Sequence, residues 1–193
     1  MVVSIAALGT LACGPSQRGD APTPSDDAAG LSLWQLRGRW ENASGGELEL
    51  GSLRGAPTLL LFFYGSCESA CPALVRDLQR VEARLTAAAL SRLQFVLVTI
   101  DPERDTLEKL AQYARERRLD PSRWLLLRGA PDQVRELASA AGVRYRDART
   151  GQLSHTMRIF LLDRNGVERE HWDGLDPPVD AIVRSVTEAV ERG

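Results

Sequence analysis

One stretch, residues 58–75, constrains the fold of this chain more than any other. It reads TLLLFFYGSCESACPALV: an apolar run, a Gly-Ser break, two cysteines and a proline. A short apolar run bounded by turn residues is typical of a strand buried on both faces. Pro72 suits the first turn of a helix, and apolar residues recur behind it at helical spacing. The stretch therefore predicts a strand, a loop that carries Cys67 and Cys71, and a helix.

This placement gives the two cysteines a chemical role. They are predicted at the carboxyl end of a central strand, which is where open α/β sheets carry their sites. The positive end of the following helix favours thiolate over thiol. Cys67 and Cys71 are therefore candidates for redox or metal chemistry. A structural disulfide is the alternative, although a bridge across so small a loop stabilises less than a long-range one.

The remaining pattern predicts an α/β protein. After the cysteine helix, the predicted elements are a strand over 94–100, a helix over 106–118, a strand over 124–127, a helix over 131–141, strands over 156–162 and 167–172 joined by a turn, and a helix over 177–191. Short strands over 37–40 and 47–50 predict an N-terminal hairpin. This order is the thioredoxin-like fold: a central mixed sheet flanked by helices, here with an N-terminal β-hairpin extension.

The beginning of the chain has a different composition. Residues 1–12 form a short apolar segment that is too short to span a bilayer and predicts a signal segment. It resembles a bacterial lipoprotein signal, in which Cys13 would carry the lipid anchor; a plain cleaved secretory signal is the alternative. Residues 13–32 predict a flexible tether, and residues 33–193 the folded domain. Both alternatives predict an exported protein, in the periplasm or, with the lipid anchor, on the outer face of the cytoplasmic membrane.

Charge argues against one class of partner. The 193 residues carry a formal net charge of −2, and no basic face or arm stands out. Nucleic-acid-binding domains usually carry a basic patch or stripe. We therefore expect no nucleic-acid partner.

A histidine far along the chain completes a candidate metal site. His155 directly precedes the strand over 156–162, and the loop before that strand faces the active-site helix in a thioredoxin-like sheet. Cys67, Cys71 and His155 are therefore predicted to meet. Two thiolates and one imidazole suit three-coordinate Cu(I), whereas structural zinc normally takes four protein ligands. The second histidine, His171, is predicted to be structural or exposed.

Two aspartates follow the strand over 94–100. Asp101 stands at its carboxyl end, so we predict that it lies near the cysteines and supports the site without binding the ion. Asp101 with Pro102 predicts a turn, and Asp105 is predicted to cap the next helix.

Three segments, FFYGSCESACPALV, VTIDPERDT and SHTMRIFLLDRNG, resemble the SCO/SenC family of thioredoxin-like copper-binding proteins. These proteins help to assemble the copper centre of cytochrome c oxidase. The resemblance implies that Cys67, Cys71 and His155 bind a copper ion, and that the partner is an oxidase subunit or another copper or thiol protein. The chain departs from the family at Glu68, usually proline, and at Ser154, often acidic. The Glu68 carboxylate is expected either to raise the pKa of the neighbouring thiol or to contact a bound cation.

Two functions remain open at this point. The first is a metallochaperone that delivers copper through Cys67, Cys71 and His155. The second is a membrane-anchored thiol–disulfide oxidoreductase that uses the same cysteine pair without the histidine. A peroxidase is a weaker third option, because the cysteine loop lacks the arginine and threonine that a peroxidatic cysteine requires.

Overall fold

The computed structural model describes Met1 and residues 30–147 and 153–192. Nine strands and five α-helices lie within these residues. The strands are β1 (Arg39–Asn42), β2 (Glu47–Glu49), β3 (Thr58–Phe63), β4 (Gln94–Thr99), β5 (Trp124–Arg128), β6 (Tyr145–Asp147), β7 (Leu153–His155), β8 (Arg158–Leu162) and β9 (Glu168–Asp173). The helices are α1 (Ala70–Glu82), α2 (Ala87–Leu90), α3 (Leu107–Glu116), α4 (Pro131–Ala140) and α5 (Val179–Glu191).

Seven of these strands form one mixed sheet, in the order β2-β1-β5-β4-β3-β8-β9. Strand β3 pairs in parallel with β4 and antiparallel with β8, and every residue of β3 is buried. This confirms the strand predicted from the apolar run. The N-terminal hairpin extends the sheet, because β1 pairs with both β2 and β5. The mixed sheet with its helices confirms the predicted thioredoxin-like fold.

Helix α1 begins at Ala70, three residues after Cys67, and contains Cys71. Its buried residues recur every three or four positions and include Leu74, Leu78 and Val81, so one face of the helix lies on the core. Helix α5 packs beside α1 and buries a similar stripe. Burial of these stripes fixes α1 against the sheet and therefore fixes the start of α1 next to the end of β3.

Ser32, near the start of the segment described from residue 30 onwards, contacts the sheet at the end opposite to the cysteines. Ser32 forms an isolated antiparallel bridge with Val167, in the turn that joins β8 to β9. The register pairs Thr58, the first residue of β3, with Leu162, the last of β8. This turn therefore lies at the amino end of β3, whereas Cys67 follows its carboxyl end.

Three features differ from the sequence predictions. Helix α2 and the separate hairpin of β6 and β7 were not predicted. His155 is the last residue of β7 rather than part of a loop. Asp105 does not cap α3: the hydroxyl of Thr106 accepts the capping hydrogen bond, from the Lys109 N–H at 3.3 Å. Serine, threonine and aspartate all cap helices well, so the sequence pattern did not separate the two neighbours.

Most of the predicted signal segment and tether lies outside the described residues. Cys13, the predicted lipid anchor, is among the residues not described. Within the described part of the chain, no helix has both the length and the apolar character needed to cross a membrane.

Candidate metal centre

Cys67 lies between β3 and α1, as the sequence predicted, whereas Cys71 lies in the first turn of α1 rather than in the loop. Cys67 stands in a turn, and its N–H donates to the Tyr64 carbonyl at 3.3 Å. Cys71 is the second residue of α1 and is fully buried. Its N–H donates to the Cys67 sulfur at 3.3 Å, and both cysteines are free thiols. The start of the helix thus directs a backbone donor at the first cysteine.

The two thiols differ in acidity. Burial alone would raise the pKa of Cys67, but hydrogen bonds from Cys71, the Ser69 backbone and the Tyr64 side chain lower it below its ordinary value. Burial raises the pKa of Cys71 well above its ordinary value, and the adjacent Cys67 raises it further. Cys67 is therefore the more readily ionised sulfur. Donors around the sulfur set this net direction, and the raising effect expected of Glu68 stays a prediction.

His155 approaches the second cysteine. Its Nε2 lies 3.6 Å from the Cys71 sulfur, and its Nδ1 lies 2.9 Å from the Thr156 carbonyl oxygen. A carbonyl can only accept, so Nδ1 carries the proton and Nε2 presents its lone pair to the sulfur. Burial lowers the pKa of His155, partly opposed by this hydrogen bond, and favours the neutral imidazole that metal binding requires.

The separation between Cys71 and His155 fits two ligands of one ion. With the bonds that zinc makes to sulfur and nitrogen, about 2.3 and 2.0 Å, and angles near those of trigonal or tetrahedral sites, the two donor atoms lie about 3.5–3.7 Å apart. The observed 3.6 Å falls in this range. Among the described residues, no group of three or more His, Cys, Asp or Glu side chains is already arranged to hold a metal ion. The Cys71 sulfur and the His155 Nε2 already lie at the distance of two ligands of one ion. Binding of an ion by all three residues requires a further movement of their side chains.

The sequence interpretation missed the role of Asp105. This carboxylate is buried, accepts a hydrogen bond from the Gly65 N–H at 2.9 Å, and accepts another from the Thr99 hydroxyl. It therefore joins the end of β4 to the first residues of the cysteine loop. Burial raises the pKa of Asp105, although both hydrogen bonds oppose this. Asp101, predicted to lie near the cysteines, pairs with Arg104 at 2.6 Å, and its part in the site stays a prediction.

The sequence profile of the SCO1/SenC family matches residues 38–191 of the chain. The SCO1 protein homolog of Bacillus subtilis is 24% identical over 154 residues, which cover 78% of this chain and 79% of that protein. The human mitochondrial SCO2 homolog is 30% identical over 125 residues, which cover 62% of this chain and 46% of that protein. The chain thus spans only about half the length of its mitochondrial relatives.

Solved structures share the fold. A SCO1/SenC family lipoprotein from Bacillus anthracis has a TM-score of 0.73 at 22% identity, covering 81% of this chain and 95% of its own. Copper-bound ScoI from Bradyrhizobium japonicum has a TM-score of 0.66 at 21% identity, covering 79% and 97%. BsSco, a member of the Sco family of cytochrome c oxidase assembly proteins with an identified disulfide switch, has a TM-score of 0.73 at 21% identity, covering 89% and 100%.

Proposed function

Because the chain belongs to the SCO1/SenC family, we propose that it is a metallochaperone that binds one copper ion and delivers it during assembly of the cytochrome c oxidase copper centre. Cys67, Cys71 and His155 supply the ligands. Two sulfurs and one imidazole are soft donors that suit Cu(I). A three-ligand site leaves the ion open to a ligand of the receiving protein, as transfer requires.

The observation that carries the proposal is the 3.6 Å separation between the Cys71 sulfur and the His155 Nε2. These residues are 84 positions apart in the chain, yet their donor atoms face each other at the distance expected of two ligands of one ion. Cys67 contributes the more acidic sulfur. Since a metal binds thiolate rather than thiol, we expect Cys67 to bind first and Cys71 to lose its proton as the ion arrives.

The cellular setting follows from the beginning of the chain. In this proposal the protein is exported, Cys13 carries the lipid anchor, and the domain works at the outer face of the cytoplasmic membrane. Support comes from the apolar segment before Cys13 and from the lipoprotein of Bacillus anthracis with the same fold. The partner is an oxidase subunit or another copper or thiol protein of that compartment.

Copper titration of the reduced protein tests the metal site, and the two histidines provide a matched pair of variants. The wild-type protein is expected to bind one Cu(I). His155→Ala should lower the affinity by at least about 100-fold, more than the 10–100-fold typical of residues outside the ligand shell. His171→Ala is the control, because His171 pairs with Glu168 on β9 and is exposed. Affinity is measured by competition with a Cu(I) chelator.

Two outcomes of this titration would contradict the proposal. No Cu(I) uptake by the reduced wild-type protein would end the metallochaperone interpretation. Equal affinities in His155→Ala and His171→Ala would remove His155 from the site and leave the two sulfurs alone.

The difference in acidity between the cysteines favours a second candidate, a thiol–disulfide oxidoreductase. The Cys67 thiolate would attack a disulfide on a partner, form a mixed disulfide and release one partner thiolate. The Cys71 thiol would give its proton to the released partner thiolate, and its sulfur would then attack Cys67, releasing the second partner thiolate and leaving a Cys67–Cys71 disulfide. The partner gains the two electrons that the cysteine pair loses. A first thiol whose pKa is lowered and a buried second thiol whose pKa is raised suit this order.

A trapping experiment tests this second function. Cys71→Ser should accumulate a mixed disulfide with an oxidised dithiol substrate, because the resolving sulfur is absent. Cys67→Ser should accumulate far less, since Cys71 is fully buried and its pKa is raised. Equal trapping by both variants would contradict the assigned order. Unchanged reduction of the substrate by His155→Ala would separate this activity from copper binding.

A further inference from the structure

We propose that Tyr64 is the positioning residue that holds the two cysteines and His155 together, an inference that rests on the proposed copper function. Tyr64 directly follows β3 and is almost completely buried, with 2% of its surface exposed. It precedes the cysteine loop, and nothing in the sequence distinguishes it from the apolar run before it.

Tyr64 contacts both cysteines through its backbone. Its carbonyl oxygen accepts the Cys67 N–H at 3.3 Å, which closes the turn that holds the first cysteine. Its own backbone lowers the pKa of the Cys71 thiol, which places the Tyr64 N–H close to that sulfur. The backbone at the end of β3 thus holds the cysteine loop and the first turn of α1 at once.

The side chain of Tyr64 reaches the histidine. The ring meets the His155 imidazole edge to face, with 5.9 Å between ring centroids and an interplanar angle of 80°. The hydroxyl lies close to the Cys67 side chain and to the backbone of Leu153, two residues before His155, and both influence its pKa. The ring and the hydroxyl of Tyr64 therefore connect the cysteine loop to β7.

This connection matters because β7 belongs to a separate two-stranded sheet with β6. A short two-stranded hairpin is at best marginally stable alone, so contacts with the domain must fix the position of His155. Tyr64 supplies such contacts to β7. It also contacts Cys67, the proposed ligand on the other side of the site. Loss of its hydroxyl should therefore loosen the geometry without removing a ligand.

Tyr64→Phe tests the proposal, since it removes the hydroxyl and keeps the ring. Tyr145→Phe is the matched control. Tyr145 pairs with His155 across the hairpin of β6 and β7, but the charged group that influences its hydroxyl is Arg135 and not a cysteine. Wild type and Tyr145→Phe should bind one Cu(I) with equal affinity. Tyr64→Phe should still bind one Cu(I), with affinity about tenfold lower, at the lower end of what loss of a supporting hydrogen bond costs a metal site.

Two measurements on the metal-free protein separate the positioning role of Tyr64 from the proposed copper function. In the wild type, nuclear Overhauser contacts should join the Tyr64 ring protons to the His155 imidazole, and their absence would overturn the proposal. Hydrogen exchange of the Leu153 amide should be faster in Tyr64→Phe than in Tyr145→Phe. If the wild type binds Cu(I) and Tyr64→Phe matches it in affinity and in exchange, Tyr64 has no positioning role. If the wild type binds no Cu(I), the proposed function itself fails.

Discussion

Replacing Cys71 with serine is expected to abolish Cu(I) binding by the reduced protein. The Cys71 sulfur faces the His155 Nε2 at 3.6 Å, so it is central to the donor set. Serine has nearly the same shape but offers a hard oxygen, which Cu(I) binds poorly. The affinity should fall by more than about 100-fold, beyond the usual cost of losing a supporting residue. Chelator competition measures the affinity, and circular dichroism checks that the variant is folded.

Two controls make this result specific. Ser66→Ala changes an exposed residue of the same loop and should leave the affinity unchanged. Oxidation of the wild type to the Cys67–Cys71 disulfide should abolish binding reversibly, because it consumes both sulfurs. A Cys71→Ser protein that retained one tightly bound Cu(I) would show that the ion does not need this sulfur, and the proposed ligand set would be wrong.

Replacing Asp105 with alanine should lower the free energy of unfolding by about 2–6 kcal/mol, since it leaves two donors without their acceptor at about 1–3 kcal/mol each when buried. The donors are the Gly65 N–H and the Thr99 hydroxyl. Asp105→Asn keeps a carbonyl oxygen at this position, so its loss should be smaller. Urea unfolding monitored by tryptophan fluorescence measures the differences.

The effect of Asp105→Ala should be local as well as global. The amide of Gly65 should exchange hydrogen faster, because the carboxylate that binds it is gone. Asp132→Ala serves as the control: Asp132 is exposed and pairs with Arg135 on the same helix, a contact worth about 0–1 kcal/mol. Equal losses in Asp105→Ala and Asp132→Ala would mean that Asp105 does not fasten the cysteine loop.

The sequence predicted the elements whose pattern is dominated by burial. Strands β3 and β4 are continuous apolar runs, and α5 repeats apolar residues at helical spacing, so each was located to within two residues. The position of Cys67 and Cys71 followed directly, because it depends only on the order of strand and helix. The alternation of elements was sufficient for the fold class, since few topologies accommodate it.

The parts that could not be predicted depend on contacts between distant segments. Strands β6 and β7 have three residues each, too few for a recognisable alternation. Asp105 and Thr106 are both suitable caps, and only the folded structure brings Asp105 to Gly65, 40 positions away. Tyr64 continued an apolar run, so its hydroxyl carried no signal.

The attachment of the chain at Ser32 has a mechanical consequence. Strand β3 spans six residues, about 20 Å, between the β8–β9 turn that holds Ser32 and the loop that holds the sulfurs. A pull on the preceding chain would load the Ser32–Val167 bridge and the Leu33 to Gly166 hydrogen bond first. Because this corner and the two thiols lie at opposite ends of β3, a load applied at Ser32 acts first on the corner and not on the thiols.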